Sequence, residues 1–375
     1  MKELGIYIHI PFCKQKCFYC DFISYANKEC YIEKYIDSLI NEIKRVDNCI
    51  VNTIYIGGGT PSYIESKYIR KIIDKIRNEF EIAQNVEITI EVNPGTVNEQ
   101  KLKNYFDIGI NRLSIGLQTS KDNLLKQIGR IHKYQEFLDT YKNARKVGFK
   151  NINIDLMLGL PNQTMKDLDE TLEKIIGLNP EHISVYSLIV EENTIMKSKI
   201  ENNELELPDE DIERKMYWKV KEKLETSKYI HYEISNFAKQ GYESKHNLNC
   251  WNQNEYIGYG IAAHSYFDSK RYCNTSNIEE YIKNIQENQI SKNKEICEIQ
   301  QKEDKMKEYM LLGLRKIQGV NINKFKNKFI DNPIYIFRKE LQELVEENLI
   351  EIDLDNIKLT NRGLDLANVA WEKFI

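Results

Sequence analysis

Three cysteines occur within eight positions near the start of the chain, in the stretch IPFCKQKCFYCDF at residues 10–22. The C-x3-C-x2-C spacing lets Cys13, Cys17 and Cys20 converge on a single centre from one loop. Three thiolates fall one short of the four ligands that normally close a structural zinc site. An iron–sulfur cluster on three thiolates would keep one iron open for another ligand. From these residues alone, a cluster, a zinc ion and a C-x2-C dithiol pair all remain open.

Further residues that could bind a ligand follow apolar, strand-like runs at regular intervals. The stretches are GGGTPS at 57–62, EVNP at 91–94, GLQTS at 116–120 and INIDLMLGLP at 152–161. Glycines in such a turn let backbone amides approach a ligand, because no Cβ stands in the way. The Glu91 carboxylate could accept hydrogen bonds from a ribose hydroxyl or an amino group. Taken singly, each residue also fits an ordinary turn, cap or solvated surface.

The elements that must position these residues alternate between short β-type runs and longer amphipathic stretches. The pattern predicts strands at 6–9, 53–56, 86–91, 112–117, 151–157 and 182–187, and helices at 31–46, 68–80, 122–147 and 168–176. This alternation is typical of an α/β fold with a parallel sheet. We expect a partial (β/α)6 barrel, in which function lies on the loops after the strand ends. A doubly wound sheet would give nearly the same pattern.

Beyond the six predicted strands, the alternation of strands and helices gives way first to an aromatic-rich segment and then to a mostly helical one. A helix is predicted from 209 to about 224, and the aromatic-rich segment 229–272 is interpreted as a lid or extra edge structure. Helices at 306–317, 322–329 and 335–346, followed by a hairpin about the 353–356 turn, predict a small, mostly α, winged-helix-like domain. The predicted divisions are a barrel with the cysteine loop at 1–240, a connecting or lid segment at 241–291, and the C-terminal domain at 292–375.

Composition narrows the class of protein. The 53 Lys and Arg against 57 Asp and Glu give a net charge of −4, so nucleic acid and membrane surfaces are not the expected partners. The chain shows neither a secretory signal nor the ~20 apolar residues that span a bilayer. We therefore expect a soluble, cytoplasmic protein, whose thiols stay reduced. Cysteines 30, 49, 250, 273 and 297 are scattered and are interpreted as ordinary packing.

Together, the cysteine loop and the strand-end motifs resemble radical S-adenosylmethionine (SAM) enzymes over nearly the whole chain. The similar branch contains oxygen-independent coproporphyrinogen III oxidases and the HemW heme chaperones. The resemblance implies a [4Fe-4S] cluster on the three loop cysteines and a SAM molecule beside it; in the oxidases, such contacts are shared between two SAM molecules. The residues that it assigns to SAM are Tyr7, Tyr19, Gly58, Gly59, Thr60, Glu91, Gln118, Arg130 (expected on a helix) and Asp155.

One departure from the oxidase pattern favours the chaperones. The oxidases resemble C-x3-C-x2-C-x-C, whereas this chain has Phe22 in the last position. The resemblance then implies heme as cargo, passed to acceptors such as respiratory enzymes, without decarboxylation of coproporphyrinogen. It leaves open whether SAM is cleaved, whether the chain forms a homodimer and whether it touches a membrane peripherally. HNLNCW at 246–251 resembles the family segment H-N-x-x-Y-W, with Cys250 in place of tyrosine, and nominates His246 as a heme ligand.

Two alternatives come from other classes of function. The first is the oxidase itself, which converts coproporphyrinogen III to protoporphyrinogen IX. The second is a nucleic-acid-binding protein that uses the winged-helix-like domain, but YIFRKELQELVE at 335–346 is acidic at its end, where a DNA-reading helix should be basic. We expect that domain to cover the barrel or dock a partner.

Overall fold

A computed structural model describes the whole chain, Met1–Ile375. At its centre, six parallel strands lie side by side in chain order. They are β1 Lys2–Ile10, β2 Cys49–Gly58, β3 Glu81–Val92, β4 Arg112–Gln118, β5 Ile152–Leu158 and β6 His182–Ser187. All six predicted strands are confirmed. A doubly wound sheet would reverse its strand order at a switch point, so the unbroken order confirms the partial barrel.

Helices connect these strands and bury one face each. They are α1 Ile32–Glu42, α2 Ser66–Glu79, α3 Glu99–Asp107, α4 Asp122–Gln127, α5 Tyr134–Val147 and α6 Met165–Leu178. In α2, the buried positions 69, 72, 73 and 76 follow the helical period. The single helix predicted at 122–147 is wrong, because Gly129, with φ +76°, separates α4 from α5.

Beyond β6, the chain adds further elements and widens the sheet at both edges. They are α7 Ile195–Glu201, α8 Glu210–Thr226, β7 Ile230–Glu233, β8 Asn236–Ala238, α9 Lys245–Trp251, β9 Tyr256–Tyr259, β10 His264–Phe267, β11 Lys270–Asn274, α10 Ile278–Gln286 and β12 Lys294–Ile299. β9 pairs with β1, and β8 pairs with β6, so the sheet has twelve strands. The segment 229–272 is therefore extra edge structure, built of short strands and one helix. β12 was not predicted.

The last part of the chain forms a second hydrophobic core of 18 buried residues, beside the main core of 55. Its elements are α11 Lys302–Gly313, β13 Val320–Asn321, α12 Ile322–Phe329, α13 Pro333–Ile336, α14 Arg338–Glu346, β14 Ile350–Ile352, β15 Asn356–Leu359, α15 Asn361–Asp365 and α16 Ala367–Glu372. β14 and β15 form the predicted hairpin, and β13 pairs with β15 as a third strand. The mostly helical character of this part is confirmed. No helix anywhere in the chain is long and apolar enough to cross a bilayer.

Candidate functional site

The loop that follows β1 carries the three clustered cysteines and is held to the fold by backbone hydrogen bonds. The Cys13 N–H donates to the Tyr25 carbonyl at 2.9 Å, and the Tyr25 N–H donates to the Pro11 carbonyl at 2.7 Å. Farther along, the Phe18 N–H donates to the Ile128 carbonyl at 3.0 Å. The loop is thus fixed at several points by the protein itself, which is the preorganisation that a binding site needs.

The three thiols face one cavity of about 450 Å³. Cys13 is buried, with its Sγ 3.4 Å from the Thr60 hydroxyl, while Cys17 and Cys20 are half-buried. Burial raises the pKa of the Cys20 thiol to about 11 and also raises the pKa of Cys13, so a metal centre must displace their protons. Three thiols on one cavity fit an iron–sulfur cluster that keeps one iron open for another ligand.

The same cavity collects all of the predicted site residues except Tyr7 and His246. Those that line it are Cys13, Cys17, Tyr19, Cys20, Gly58, Gly59, Thr60, Glu91, Gln118, Arg130 and Asp155. They come from the cysteine loop and from the carboxyl ends of β2 to β5, with one from the loop after α4. Since parallel strands in chain order bring their carboxyl ends to one edge, the topology explains why residues so distant in sequence meet.

The glycines at the end of β2 lie too close to other groups to carry a side chain. A Cβ on Gly59 would lie 3.0 Å from the Cys13 sulfur, and a Cβ on Gly58 would lie 2.7 Å from the His9 ring. Gly58 also has φ +112°, which side-chain-bearing residues rarely adopt. The bare backbone therefore forms this part of the cavity wall beside the thiols.

Glu91, at the end of β3, supplies a carboxyl group with an unusual pKa. The Tyr55 hydroxyl donates to Glu91 Oε1 at 2.9 Å, and a Cβ on Gly57 would lie 2.9 Å from the same oxygen. Burial raises the pKa of Glu91 to about 7. A positively charged amino group bound beside it would favour the carboxylate, which is the form that accepts hydrogen bonds.

Gln118, at the end of β4, and Asp155, in the middle of β5, extend the wall. Gln118 is buried and has φ +73°, a left-handed conformation that turns the chain out of its strand. Asp155 accepts hydrogen bonds from the Ser114 hydroxyl at 3.1 Å and from the Asn153 side-chain amide at 2.7 Å. Burial raises the pKa of Asp155. The Asp155 carboxylate is therefore held in a fixed position at the cavity.

Arg130 ties the cysteine loop to the strand ends. It lies in the loop between α4 and α5 rather than on a helix, which corrects the prediction, because the chain turns at Gly129. Its Nη1 donates to Asn93 Oδ1 at 2.8 Å, and its Nε and Nη2 donate to the Tyr19 hydroxyl at 3.2 and 2.9 Å. The guanidinium is thus a half-buried positive charge that bridges two walls of the cavity.

The two predicted residues outside the cavity wall lie behind it, and both stack on Tyr55. Tyr7 packs its ring 6.3 Å from that of Tyr55, and its hydroxyl lies 3.0 Å from His9 Nδ1. The His246 ring lies 5.2 Å from the Tyr55 ring, and its Nδ1 lies 2.9 Å from the Thr53 hydroxyl. His246 is only 7% exposed, so heme iron would reach its imidazole only if α9 moved.

Sequence reasoning missed several residues of the cavity. Asn93 lies within the EVNP motif, where only Glu91 was singled out. Tyr186, near the end of β6, and Ile189, just after it, line the cavity and are 40% and 67% exposed. Phe22 lines it as well and is 64% exposed. We call Phe22, Tyr186 and Ile189 the apolar rim, because they combine contact with the cavity and exposure to solvent.

Comparisons with known proteins agree with this geometry. Residues 7–175 match the radical SAM superfamily, and residues 300–366 match the HemN C-terminal domain. The chain is 38% identical to the heme chaperone HemW of Bacillus subtilis over 98% of both chains. It is 37% identical to the heme chaperone HemW of Lactococcus lactis, over 100% of this chain and 98% of the other. The fold resembles the solved coproporphyrinogen III oxidase of Escherichia coli, with a TM-score of 0.86, 22% identity, and coverage of 100% of this chain and 90% of that one.

Proposed function

This chain belongs to the radical SAM superfamily and, within it, to the HemW family of heme chaperones, and on that premise we propose that it binds heme and delivers it to heme-accepting proteins. Membership of the superfamily implies a [4Fe-4S] cluster and SAM as cofactors. The acceptors would be heme-dependent proteins, such as respiratory enzymes, and the transfer would take place in the cytoplasm. The heme would be cargo, held for transfer rather than altered.

The residues of the cavity fit both cofactors. Cys13, Cys17 and Cys20 would hold the cluster, because their thiols face one cavity and leave one iron open for SAM. The bare backbone at Gly58 and Gly59 would admit the amino-acid end of SAM close to the cluster. The side chains that would hold SAM directly are Tyr19, Thr60, Glu91, Gln118, Arg130 and Asp155, and Tyr7 would support them from behind.

The polypeptide itself would orient the two cofactors and shield them from solvent. Bound together, the cluster and SAM supply one-electron chemistry at the sulfonium. Arg130 would hold Tyr19 against the ligand through their two hydrogen bonds. Glu91, backed by the Tyr55 hydroxyl, would accept a hydrogen bond from the amino or ribose group of SAM. Each of these groups already has its partner in the protein, so little reorganisation would accompany binding.

The observation that carries the chaperone proposal is the position of Phe22. It stands where the oxidase pattern has a further cysteine, and its ring is 64% exposed beside the cavity. With Tyr186 and Ile189 it forms the apolar rim, a surface suited to the flat, largely apolar face of a porphyrin. We propose that the rim is where heme rests.

The test is a hemin titration of cluster-loaded protein, followed by the Soret band. We expect saturable binding of one heme per chain, and transfer of that heme to an added heme-free acceptor protein. Phe22→Ala should weaken hemin binding by about 10-fold, since it removes most of the aromatic contact that the bound heme would bury. Leu354→Ala is the matched control, because Leu354 is 97% exposed on the distant hairpin.

Two outcomes would contradict the proposal. One is the absence of saturable hemin binding by protein that holds its full iron content. The other is anaerobic turnover of coproporphyrinogen III in the presence of SAM and a reductant, which would make the chain an oxidase despite Phe22. Running both assays on one preparation keeps cofactor loading the same for each.

A further inference from the structure

Three strands at one edge of the sheet place a histidine and two cysteines together. The ligand atoms of His264, Cys273 and Cys297 all lie within 4.8 Å of one another, which holds for no other such group of three. None of these residues lines the cavity that holds the clustered cysteines. Scattered in sequence, the two cysteines were interpreted as ordinary packing, but the fold brings them side by side.

The strand register explains why they meet. His264 on β10 lies directly opposite Cys273 on β11, and directly opposed residues point to the same face of a sheet. Cys273 in turn lies opposite Glu295 on β12, and Cys297 follows as the unpaired residue of a β-bulge, where the register shifts between Arg271 and Tyr272. The two sulfur atoms are 3.5 Å apart. His264 and Cys297 are exposed and Cys273 is half-buried, so an ion from solvent could reach all three.

We propose that His264, Cys273 and Cys297 form a zinc-binding site with two thiolate ligands and one imidazole ligand. Zinc takes sulfur and nitrogen ligands in a tetrahedron, and Zn–S bonds of about 2.3 Å place two sulfurs about 3.8 Å apart. The observed separation of 3.5 Å is close to that value. Three protein ligands leave the fourth position to water.

The surroundings of the triad suit zinc better than heme. The adjoining cavity of about 440 Å³ is lined by twelve residues, of which three are hydrophobic. A porphyrin face needs an apolar wall, whereas a hydrated cation is stable among polar groups. Burial raises the pKa of the Cys273 thiol to about 11, so zinc binding would displace a proton.

Zinc at this position would fasten the edge of the sheet. The three ligands come from three consecutive strands, and β12 is one of the two edge strands of the sheet. Ile23, which follows Phe22 in the cysteine loop, lines the same adjoining cavity. The site is therefore next to the loop but chemically separate from it, and the proposal is independent of whether the chain carries heme.

The test must remove competition from the clustered cysteines. We would use the full chain with Cys13→Ser, Cys17→Ser and Cys20→Ser, kept reduced, and titrate it with Zn²⁺ against a chromophoric chelator and with Co²⁺ as a spectroscopic probe. We expect one tightly held Zn²⁺ per chain and a sulfur-to-cobalt charge-transfer band. Adding Cys273→Ser or Cys297→Ser should reduce the affinity by about 100-fold and weaken the band, because a thiolate ligand is lost.

The controls separate this site from other thiols and from disulfide formation. Cys30→Ser on the same background should leave Zn²⁺ binding unchanged, since Cys30 is an exposed cysteine outside the triad. His264→Gln should lower the affinity but keep the charge-transfer band, because both thiolates remain. Wild-type protein loaded with its cluster should hold one zinc beyond its iron. The proposal would be overturned if the Cys273→Ser variant bound Zn²⁺ as tightly as its parent, or if the parent bound no Zn²⁺. A Cys273–Cys297 disulfide that persists in the presence of a reductant would also overturn it.

Discussion

The Tyr19 hydroxyl accepts two hydrogen bonds from Arg130, at 3.2 Å from Nε and at 2.9 Å from Nη2. Tyr19 stands between Cys17 and Cys20 in the chain, and Arg130 also donates to Asn93 at the end of β3. One guanidinium therefore connects the cysteine loop to the strand that supplies Glu91. A substitution of Tyr19 or Arg130 should therefore alter the binding of the cofactors.

Replacing Tyr19 with phenylalanine tests that link. The half-buried guanidinium loses one of its two acceptors and keeps Asn93, and hydrogen bonds to charged groups contribute about 1.5–3 kcal/mol. We expect Tyr19→Phe to keep its iron but to bind SAM about 10-fold more weakly, measured by calorimetry on reconstituted protein. Tyr63→Phe is the control, because its hydroxyl bonds to Glu29 on the surface. Equal SAM affinity of wild type and Tyr19→Phe would contradict the role given to the link.

Loss of one clustered thiol should abolish the cluster. After anaerobic reconstitution, we expect about four irons per wild-type chain and fewer than about one in Cys13→Ser or Cys17→Ser, since three thiolates hold the proposed cluster. Iron and sulfide analysis with the visible spectrum gives the result. Cys30→Ser should retain full iron because that cysteine is exposed and isolated. A wild-type chain that reconstitutes with zinc alone would refute the cluster.

The carboxyl group of Glu91 predicts a pH dependence. Because burial raises its pKa from 4.5 to about 7, the folded chain keeps a proton that the unfolded chain releases. The contribution of Glu91 to folding stability therefore falls as the pH rises from about 4.5 to about 7. Glu91→Gln avoids this loss, so in the absence of SAM its stability relative to wild type should improve by about 1–3 kcal/mol between pH values of about 5 and 8.

Denaturant unfolding at several pH values measures this difference. Glu33→Gln serves as the control, since Glu33 is exposed on α1. Despite its higher stability at alkaline pH, Glu91→Gln should bind SAM more weakly, because an amide is a poorer acceptor than a carboxylate. A pH-independent stability difference for Glu91→Gln would show that its proton is not retained on folding.

His246 can be tested as a packing residue against its proposed role as a heme ligand. Its ring fills the space between Tyr55 and Thr53, so His246→Ala should destabilise the fold by about 2–4 kcal/mol. We expect the folded fraction of the variant to bind hemin with an unchanged Soret maximum. Loss of the Soret shift with no loss of stability would instead identify His246 as the ligand.

Arg315 joins the C-terminal part to the barrel. Its guanidinium lies 4.4 Å from the ring centre of Trp251 and 4.9 Å from that of Trp371. Two such contacts contribute about 1–4 kcal/mol together. We expect Arg315→Met to speed limited proteolysis near residue 300, with Arg338→Met, on the exposed side of α14, as the unaffected control. Identical cleavage of the two variants would show that the contact does not hold the parts together.

The sequence predicted the strands well because buried parallel strands are continuous apolar runs that local composition reveals. It failed between 122 and 147, where the apolar period continues through Gly129. That glycine accommodates Phe18 of the cysteine loop, and a Cβ there would lie 2.7 Å from the Phe18 ring. A tertiary contact with a segment more than a hundred residues earlier decides where α4 ends, and no local pattern records it.

The limit of local sequence patterns also explains which site residues could be predicted. Short motifs identify the clustered cysteines and the glycines of β2, because each motif holds several chemically distinctive residues close together in sequence. These residues are Cys13, Cys17, Cys20, Gly58 and Gly59. Tyr186 and Ile189 could not be predicted, since a tyrosine and an isoleucine near a strand end are typical of packing. Cys273 and Cys297 lie 24 residues apart in sequence and meet only through strand pairing.

The central place of β1 in the sheet bears on how the protein matures. β1 is flanked by β2 and β9, and the loop it leads into is pinned to Tyr25 and Ile128 by main-chain hydrogen bonds. Because main-chain groups of the polypeptide make these contacts, we expect the loop to reach its path before iron and sulfide bind, so that a biosynthetic machinery delivering clusters would meet a preformed receptor rather than a nascent chain.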